Sequence, residues 1–402
     1  MRIQLVPTAQ ADLLDLPWME PLADWQSERL VEVERGIGQH VVRFVDYDGD
    51  LFALKELPPP LAAREYRLLR GLATEGLPAV HAVGMVNDRP DELPAVLITR
   101  YLDFSLPFRL VIARRPVADF LDRLLDALVE LLVRLHLAGF YWGDCSLSNT
   151  LFRRDAAALA AYLVDAETSE RHPSLSDGQR LYDLDIAEQN AFGELLDLEE
   201  QLGSAPERDP ATLSTEIRSR YERLWSEVTG EEEFGAGERH RLRERLDRLQ
   251  ELGFDAEEVE LTSTDHGFRL RVDPQLVEPG HHRRRLLRLT GLDAQENQAR
   301  RLLEDVTAFR QALEEGGQQP VSDAAAAGRW LAEVFEPAVA AVPAELRAKR
   351  QAAQLFHELV NHRWYLSEQQ GREVGMDETV RSYTDKVLRE MPDERTTILP
   401  RD

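Results

Sequence analysis

The residues best suited to chemistry are concentrated in the stretch 141–152, which reads YWGDCSLSNTLF. Asp144 and Asn149 lie five residues apart there, and Asp165 follows the apolar run YLV at 162–164, which is typical of a short buried strand. One carboxylate can accept or orient the proton of a hydroxyl, while an amide and a second carboxylate can hold Mg²⁺ against phosphates. The types and the spacing of these three side chains therefore indicate phosphoryl transfer.

The residues before this stretch predict a small β-rich lobe. Apolar and polar residues alternate there between turn sequences, which is typical of strands. The predicted strands cover residues 30–34, 40–45, 51–55, 78–86 and 95–102. A helix is predicted over 62–72, and residues 100–103 are expected to form a hinge. The third strand ends in Lys55, which is the only lysine among the first 348 residues.

Two features of this lobe have both a functional and a structural interpretation. Gly36 and Gly38 stand in the first turn, where they form either a flexible loop over phosphates or an ordinary hairpin. The third glycine of a G-x-G-x-x-G loop is absent, because Val41 takes its place. Glu65 lies ten residues after Lys55, so it can pair with that lysine or simply favour the first turn of its helix.

A second, helical lobe is expected to carry the stretch 141–152. Leucines at helical spacing predict an amphipathic helix over 117–139 that leads into it. A polar loop over 168–178 and a helix over 181–201 are expected after Asp165. That helix contains Asp183 and Asp185, which either anchor a loop through backbone hydrogen bonds or are solvated.

Composition limits the classes of function. The chain has 402 residues, 43% of them hydrophobic and 30% charged, enough for two or three domains with buried cores. A net charge of −25 argues against general binding to nucleic acid or anionic lipid. We find no run of about 18 apolar residues and no signal-peptide order at the N-terminus. The single cysteine, Cys145, excludes an intramolecular disulfide, and the expected location is the cytoplasm.

Taken together, these residues resemble the kinase-like phosphotransferases, in particular the bacterial lipopolysaccharide kinases that phosphorylate Kdo or heptose. The resemblance covers roughly residues 28–205 and includes the phrase REYRLL at 64–69. It implies ATP and Mg²⁺ as cofactors. It also implies a nucleotide site that contains Gly36, Gly38, Lys55, Asn149 and Asp165. The implied roles are Lys55 on the α- and β-phosphates, Glu65 as its partner, Asp144 as catalytic base, and Asn149 and Asp165 as Mg²⁺ ligands.

The sequence departs from the protein-kinase pattern at three places. Trp142 replaces the histidine two residues before the base, and Ser146 replaces a lysine that helps to neutralise the γ-phosphate. Ala166 and Glu167 replace the Phe-Gly that follows the metal-binding aspartate, and Glu167 adds a carboxylate near the metal. Loss of one electrostatic donor can reduce the rate by about 10²–10³-fold. The charged residues Lys55, Asp144 and Asp165 are nevertheless present, which favours an active enzyme.

The second half of the chain predicts helices and one hairpin, formed by 258–262 and 267–272. Its basic feature is Arg283, Arg284 and Arg285, which either bind a phosphorylated ligand or partner or lie on a solvated helix that pairs with neighbouring acids. The combination of this half with a kinase-like first half resembles a bacterial domain family of unknown function.

The predicted fold class is α+β: a two-lobed kinase-like fold, followed by a mostly helical domain with a short β-hairpin. The expected divisions are 1–25 (lead-in), 26–102 (small lobe), 103–205 (helical lobe), 206–320 (acidic helical region with the hairpin and the arginines) and 321–402 (C-terminal helices). The leading functional hypothesis is a kinase that phosphorylates a hydroxyl of a sugar, glycolipid, other small molecule or protein. The alternatives are a nucleotide-binding pseudokinase without turnover and a structural scaffold.

Overall fold

The structure is a computed structural model, and it describes most of the chain. The described residues are 1–7, 13–33, 40–113, 120–202, 208–235, 238–256, 259–264, 267–272, 277–315 and 320–395. They divide into two compact units. Unit 1 comprises Met1–Phe152 and Ala161–Leu224, and unit 2 comprises Arg153–Ala160 and Trp225–Arg395.

Unit 1 begins with a six-stranded antiparallel sheet in the order β1-β5-β6-β4-β3-β2. Its strands are β1 (Arg2–Leu5), β2 (Leu30–Val31), β3 (Val42–Tyr47), β4 (Asp50–Leu57), β5 (His81–Asn87) and β6 (Ala95–Arg100). Side chains alternate between the two faces of a strand. In β4, Phe52 and Leu54 are buried in the core, and Lys55 therefore projects to the other face.

The first 25 residues, expected to be a lead-in, contribute to this sheet and to its core. Strand β1 pairs with β5 over four residues. Trp18 and Trp25 pack edge to face at 5.0 Å, and Leu13 and Leu22 are fully buried with them. The prolines of this segment do prevent a long helix, but its large apolar side chains complete the core of the small lobe. The small lobe therefore begins before residue 26.

Helix α1 (Pro59–Thr74) follows β4 and carries Glu65 on its buried face. It starts three residues before the predicted helix because Pro59 occupies its first turn, where a missing N–H costs nothing. The helix buries Tyr66, Leu69 and Leu72 beside Glu65. Glu65 is thus 1% exposed, which is unusual for a carboxylate unless it has a partner.

The helical part of unit 1 surrounds the loop that contains Asp144. Its helices are α2 (Phe108–Ala113), α3 (Phe120–Leu137), α4 (Asp177–Leu202) and α5 (Pro210–Thr229), the last of which extends into unit 2. Its strands are β7 (Ser105–Pro107), β8 (Phe140–Tyr141), β9 (Thr150–Asp155), β10 (Ala158–Leu163) and β11 (Glu170–Arg171). Strands β9 and β10 run from the residue after Asn149 to two residues before Asp165, so they position both side chains.

Unit 2 is mostly helical and contains two small sheets. Its strands are β12 (Glu232–Phe234), β13 (Phe254–Ala256), β14 (Val259–Thr264), β15 (Gly267–Val272) and β16 (Val277–Pro279). Strands β14 and β15 form the predicted hairpin, with β12 added beside β15 and β13 paired with β16. Its helices are α6 (Arg239–Glu251), α7 (His281–Thr290), α8 (Glu296–Glu315), α9 (Asp323–Trp330), α10 (Glu336–Ala340), α11 (Ala344–Arg347), α12 (Ala352–Gln370) and α13 (Met376–Tyr383).

Two helical stretches of this unit, residues 323–340 and 344–370, are interrupted. A π-helical turn at Leu331–Phe335 joins α9 to α10, and α11 ends at Arg347 before α12 begins at Ala352. The core of the unit is built around Trp330 and Phe356, whose rings lie 5.7 Å apart.

Residues 153–160, the tip of the β9–β10 hairpin, belong to unit 2 and are held there by polar contacts. Asp155 is 2% exposed and accepts the backbone N–H groups of Asn297 (3.0 Å) and Gln298 (2.7 Å). The Asn297 side-chain amide donates a third hydrogen bond at 2.9 Å. Asp155 therefore acts as an N-terminal cap for α8 from a position about 140 residues away.

Candidate active site

Four charged side chains form a connected group in unit 1. Lys55 Nζ lies 2.6 Å from Asp165 Oδ2, 3.1 Å from Glu65 Oε2 and 3.6 Å from Glu167 Oε2. The three carboxylates each offer an oxygen within 4.8 Å of the other two. Lys55 is mostly buried, with 15% of its side chain exposed. The structure therefore brings together Lys55, Glu65 and Asp165, which the sequence places on three different elements.

Burial and charge shift the pKa values in this group. Burial alone lowers the pKa of Lys55, but Glu65 and Asp165 outweigh it and raise that pKa above its ordinary value. Burial raises the pKa of Glu65 to about 7, with a further contribution from the Asp165 carboxylate and an opposing one from Lys55. The positive charge of one lysine cannot balance the negative charges of three carboxylates. Glu65 is the most buried of the three. The group consequently has an excess of negative charge.

Asp144 and Asn149 are in direct contact on the loop between β8 and β9. Asn149 Nδ2 donates to Asp144 Oδ2 at 2.9 Å, and Asn190 Nδ2 of α4 donates to Oδ1 at 2.9 Å. Burial raises the pKa of Asp144, the hydrogen bonds from Asn190 and Asn149 oppose the rise, and the charges of Asp165 and Glu167 add to it. A partly buried carboxylate with a raised pKa is suited to accepting a proton.

Helix α4 holds the backbone of this loop through the carboxylates of Asp183 and Glu194. Asp183 is fully buried and accepts the N–H groups of Trp142 (2.7 Å) and Gly143 (2.8 Å). Glu194 accepts those of Leu147 (2.8 Å) and Ser148 (2.9 Å). The anchoring interpretation of Asp183 therefore holds.

Asp185, in contrast, lies on the outside of α4. It pairs with Arg218 at 2.6 Å and is 53% exposed. Of the two aspartates that the sequence offered as loop anchors, only Asp183 makes backbone hydrogen bonds to the loop.

His136, expected to have a packing or capping role, supports Asp183. Its Nε2 lies 3.1 Å from Asp183 Oδ2 and its Nδ1 lies 2.7 Å from the Tyr221 hydroxyl. Burial lowers the pKa of His136, so the ring is neutral at physiological pH. A neutral ring satisfies both contacts if Nε2–H donates to Asp183 and Nδ1 accepts from Tyr221.

Trp142 and Gly143 explain how the loop forms without the histidine of protein kinases. The Trp142 ring is fully buried, and its Nε1 donates to the backbone oxygen of Asp165 at 3.2 Å. It thereby links the loop to the segment that carries the second acid. Gly143 has a φ of +79°, and a β-carbon there would lie 3.0 Å from the Thr168 oxygen. Glycine is thus the residue that this turn permits immediately before Asp144.

The two remaining loop residues of interest have structural contacts. Ser146 Oγ accepts the N–H of Asn149 at 3.0 Å, which fixes the turn rather than supplying positive charge. Cys145 is fully buried, and burial raises the pKa of its thiol well above the ordinary value. A thiol in that state is a poor nucleophile, which indicates a structural role for Cys145 in the loop.

The donor set fits a divalent cation with a bound polyphosphate. When Glu65, Asp165 and Glu167 are all ionised beside Lys55, two negative charges are in excess, which is the charge that Mg²⁺ supplies. The hydrogen bonds of the Asn149 side chain use Nδ2, which leaves Oδ1 for a metal. Carboxylate and amide oxygens are the ligands that Mg²⁺ prefers.

Other residues singled out in the sequence are not part of this group. Gly36 and Gly38 lie outside the described residues. In unit 2, Arg283 pairs with Asp293 at 2.8 Å, Arg285 pairs with Asp323 at 3.3 Å, and Arg284 donates to the backbone oxygen of Pro279. These contacts correspond to the alternative of an arginine-rich helix that pairs with its own neighbours.

Sequence reasoning missed Asn190 and Glu194, and it assigned no partner to His40. Asn190 and Glu194 follow Asp183 by seven and eleven residues, a spacing that places them on one face of α4. The available signal was the position of Asn190 and Glu194 on the same helix face as Asp183. His40, whose Nε2 lies 2.7 Å from Glu167 Oε2, sits just before β3, and no motif identifies it.

The sequence of the chain matches two family profiles. Residues 47–189 match the lipopolysaccharide kinase (Kdo/WaaP) family, and residues 223–388 match a family described as Domain of unknown function (DUF4032). The first match relates residues 47–189 to a family of kinases. The chain therefore carries a domain of the Kdo/WaaP family followed by a DUF4032 domain, and both expected resemblances are confirmed. The expected two-lobed kinase-like fold with a mostly helical second half is confirmed as well.

Three solved structures illustrate what the chain is similar to. WaaP in complex with acyl carrier protein is 19% identical over 56% of this chain and 100% of that chain, with a TM-score of 0.36. Aminoglycoside-3'-phosphotransferase of type VIII is 17% identical over 54% and 92%, with a TM-score of 0.35. The yeast RNA Pol II CTD kinase CTDK-1 complex is 15% identical over 37% and 48%, with a TM-score of 0.28. All three TM-scores are below 0.5, so no function is inferred from them.

No curated protein sequence matches the chain significantly. In the parts of the chain that the structure describes, no helix combines the length and the apolar character needed to cross a membrane.

Proposed function

We propose that this protein is an ATP- and Mg²⁺-dependent phosphotransferase that transfers the γ-phosphate to a hydroxyl group. The observation that carries the proposal is the group around Lys55, where one ammonium contacts both Glu65 and Asp165. Removing a lysine and two carboxylates from water costs desolvation free energy, so a group of this kind indicates a function other than stability. The neighbouring Asp144–Asn149 pair supplies the second half of a phosphoryl-transfer site.

Each side chain has a role that follows from its chemistry. Lys55 donates hydrogen bonds to the α- and β-phosphates, and Glu65 holds it in place. Asp165 and Asn149 Oδ1 would hold Mg²⁺, which would supply positive charge to offset that of the transferring group. Asp144 orients the acceptor hydroxyl through the oxygen atoms that Asn149 and Asn190 fix in place.

The reaction forms a bond between the acceptor oxygen and the γ-phosphorus and breaks the bond from that phosphorus to the bridging oxygen of ADP. The acceptor proton passes to Asp144, and ADP leaves with the electron pair of the broken bond. The protein forms no covalent bond in this reaction, so catalysis depends on positioning the reactants and on electrostatic stabilisation of the transition state. The acceptor is a sugar, a glycolipid, another small molecule or a protein, and the use of ATP suits the cytoplasmic location expected from the sequence.

A second candidate is a pseudokinase that binds nucleotide without turnover. It is favoured by Ser146, whose hydroxyl supplies no positive charge, and by Glu167, whose carboxylate lies 3.6 Å from Lys55 Nζ. The two candidates share nucleotide binding and differ in transfer. They are therefore separated by experiments on the same protein.

The first test is the unfolding temperature of the purified chain with and without Mg-ATP. A ligand at 100 times its dissociation constant stabilises the native state by about 2.7 kcal/mol. We expect wild type to be stabilised only when Mg²⁺ is present, and Lys55→Ala and Asp165→Asn to lose the effect. Lys386→Ala, at an exposed lysine of unit 2, is the control and should keep it. A folded wild type that does not respond to millimolar Mg-ATP would refute both candidates.

The second test is transfer. With [γ-³²P]ATP and a panel of sugar, glycolipid and protein acceptors, wild type should label at least one acceptor. Asp144→Asn should bind Mg-ATP with nearly unchanged affinity and lose transfer by about 10³-fold or more, the scale of one acid–base or electrostatic residue. Nucleotide binding in wild type, together with no difference between wild type and Asp144→Asn on any acceptor, would favour the pseudokinase.

A further inference from the structure

The contact between His40 and Glu167 joins the small lobe to the segment that carries Asp165. His40 Nε2 lies 2.7 Å from Glu167 Oε2, the same oxygen that lies 3.6 Å from Lys55 Nζ. Both side chains are partly exposed, His40 at 26% and Glu167 at 23%. The imidazole is therefore at the solvent-facing side of the carboxylate group, next to the position proposed for the nucleotide phosphates.

Glu167 is fixed relative to Asp165. Its backbone N–H donates to Asp165 Oδ1 at 3.0 Å, a turn that makes the two carboxylates face the same space. In the described part of the chain, the basic side chains seen against Asp165 and Glu167 are Lys55 and His40. Lys55 contacts Glu65 as well as Asp165 and Glu167, whereas Glu167 is the one carboxylate seen against His40 among the described residues.

The site needs one more donor than Lys55 for a triphosphate. The γ-phosphate carries charge on three oxygens during transfer, and protein kinases meet part of it with a lysine where this chain has Ser146. Ser146 Oγ accepts the N–H of Asn149, and its hydroxyl carries no positive charge. The imidazole of His40, which lies against Glu167, can present an Nε2–H donor at the carboxylate group.

We propose that His40 is a nucleotide-binding residue whose Nε2–H donates to a terminal phosphate oxygen of ATP, with Glu167 holding the ring in position until the nucleotide enters. This assignment rests on the proposed function, and it adds His40 to the nucleotide site and a preference for ATP over ADP. Because the donor reaches the terminal phosphate, it distinguishes ATP from ADP. Glu167, released by His40, is then free to face the metal.

The plain alternative is that His40 and Glu167 form a surface ion pair with no contact to the nucleotide. Such pairs contribute little to stability. The two interpretations differ in what happens to ATP and ADP. An ion pair that only steadies Glu167 near the metal would affect both nucleotides alike, since both are bound with Mg²⁺.

The test is isothermal titration calorimetry of the full chain with Mg-ADP and with a non-hydrolysable Mg-ATP analogue, for wild type, His40→Ala and His40→Gln. We expect His40→Ala to weaken binding of the ATP analogue by about tenfold or more, the contribution of one charge-assisted hydrogen bond, and binding of ADP by less than about twofold. His40→Gln keeps an N–H donor and should recover part of the lost affinity. His172→Ala removes a histidine that pairs with Glu170 at 3.1 Å and serves as the matched control.

Each result has a distinct meaning. Equal weakening for both nucleotides, or no weakening for either, would overturn the assignment of His40 and leave the phosphotransferase proposal intact. Wild type that binds neither nucleotide would overturn the phosphotransferase proposal itself, and the assignment with it. A selective loss for the ATP analogue that glutamine partly repairs would support the terminal-phosphate contact.

Discussion

At the scale of residues, the candidate site has more carboxylates than basic side chains among the residues that the structure describes. Lys55 contacts three carboxylates, and its own pKa is raised by Glu65 and Asp165. Burial raises the pKa of Glu65 to about 7, and the charge of Asp165 adds to the rise. A divalent cation bound beside Asp165 would oppose the second of these two contributions. Binding of the metal is thus expected to depend on the same residues as binding of the nucleotide.

Cys145 gives a residue-scale prediction about the loop itself. It is the only cysteine of the chain, it is fully buried beside Asp144, and burial raises the pKa of its thiol. Labelling with Ellman's reagent should therefore be about 100-fold slower in the native protein than in urea. Cys145→Ser provides the blank. Complete labelling of the native protein within minutes would mean that the loop opens readily, against the network described for it.

At the scale of elements, helix α4 determines whether the loop is formed. Asp183, Asn190 and Glu194 project from one face of it and hold four backbone N–H groups and the Asp144 carboxylate. Because α4 begins at Asp177, the loop and its support are separated by about 30 residues of chain. The conformation of the loop therefore depends on tertiary contacts with α4 and not only on the sequence of the loop.

This difference explains what the sequence could and could not predict. Asp144, Asn149 and Asp165 were identifiable because their spacing along the chain reflects one short loop and one strand. Lys55 and Glu65 were identifiable from a strand and a helix that follow each other. The contributions of Asn190 and Glu194 depend on which face of α4 meets the loop, which no local pattern specifies. The same holds for His40, whose partner lies 127 residues away.

The support from α4 can be tested with two aspartates of that helix. Asp183→Asn removes the charge of a fully buried acceptor of two backbone N–H groups and should lower the free energy of unfolding by about 2–4 kcal/mol. Asp185→Asn is the matched control, because Asp185 is 53% exposed and its pair with Arg218 is worth about 0–1 kcal/mol. Urea unfolding of the two variants measures the difference.

A second measurement on the same variants separates a local effect from a global one. If Asp183 holds the loop, Cys145 should react faster with Ellman's reagent in Asp183→Asn even at concentrations of urea that leave the protein folded. Equal stability of Asp183→Asn and Asp185→Asn, with unchanged labelling, would contradict the role assigned to α4.

At the scale of the whole molecule, the two family matches and the two compact units divide the chain differently. The first match ends at residue 189 and the second begins at residue 223, which suggests a single domain boundary between these two residues. Residues 153–160 lie inside the first match and yet belong to unit 2. A cut between the two matched segments would therefore remove the partners of a hairpin tip that lies between Asn149 and Asp165 in the sequence. Neither a family match nor a shift in composition could indicate that residues 153–160 pack in unit 2, because both divide the chain into consecutive segments.

Asp155 is the residue on which this organisation can be tested. Its buried carboxylate accepts three N–H groups from Asn297 and Gln298 at the start of α8. Asp155→Asn keeps the shape but loses the charge that the helix N-terminus favours, and we expect unit 2 to lose about 2–4 kcal/mol of stability. Asp293→Asn, at a 62% exposed residue of the same unit that pairs with Arg283, should cost less than about 1 kcal/mol.

Limited proteolysis with mass mapping is the measurement, because it assigns each cleavage to a unit. In Asp155→Asn, new early cleavages should fall within residues 225–395, and the Asp293→Asn pattern should match wild type. If the cleavage pattern of Asp155→Asn is that of wild type, the hairpin tip is not a structural part of unit 2. The family boundary would then describe the molecule better than the compact units do, and the first matched segment would be expected to fold without the second.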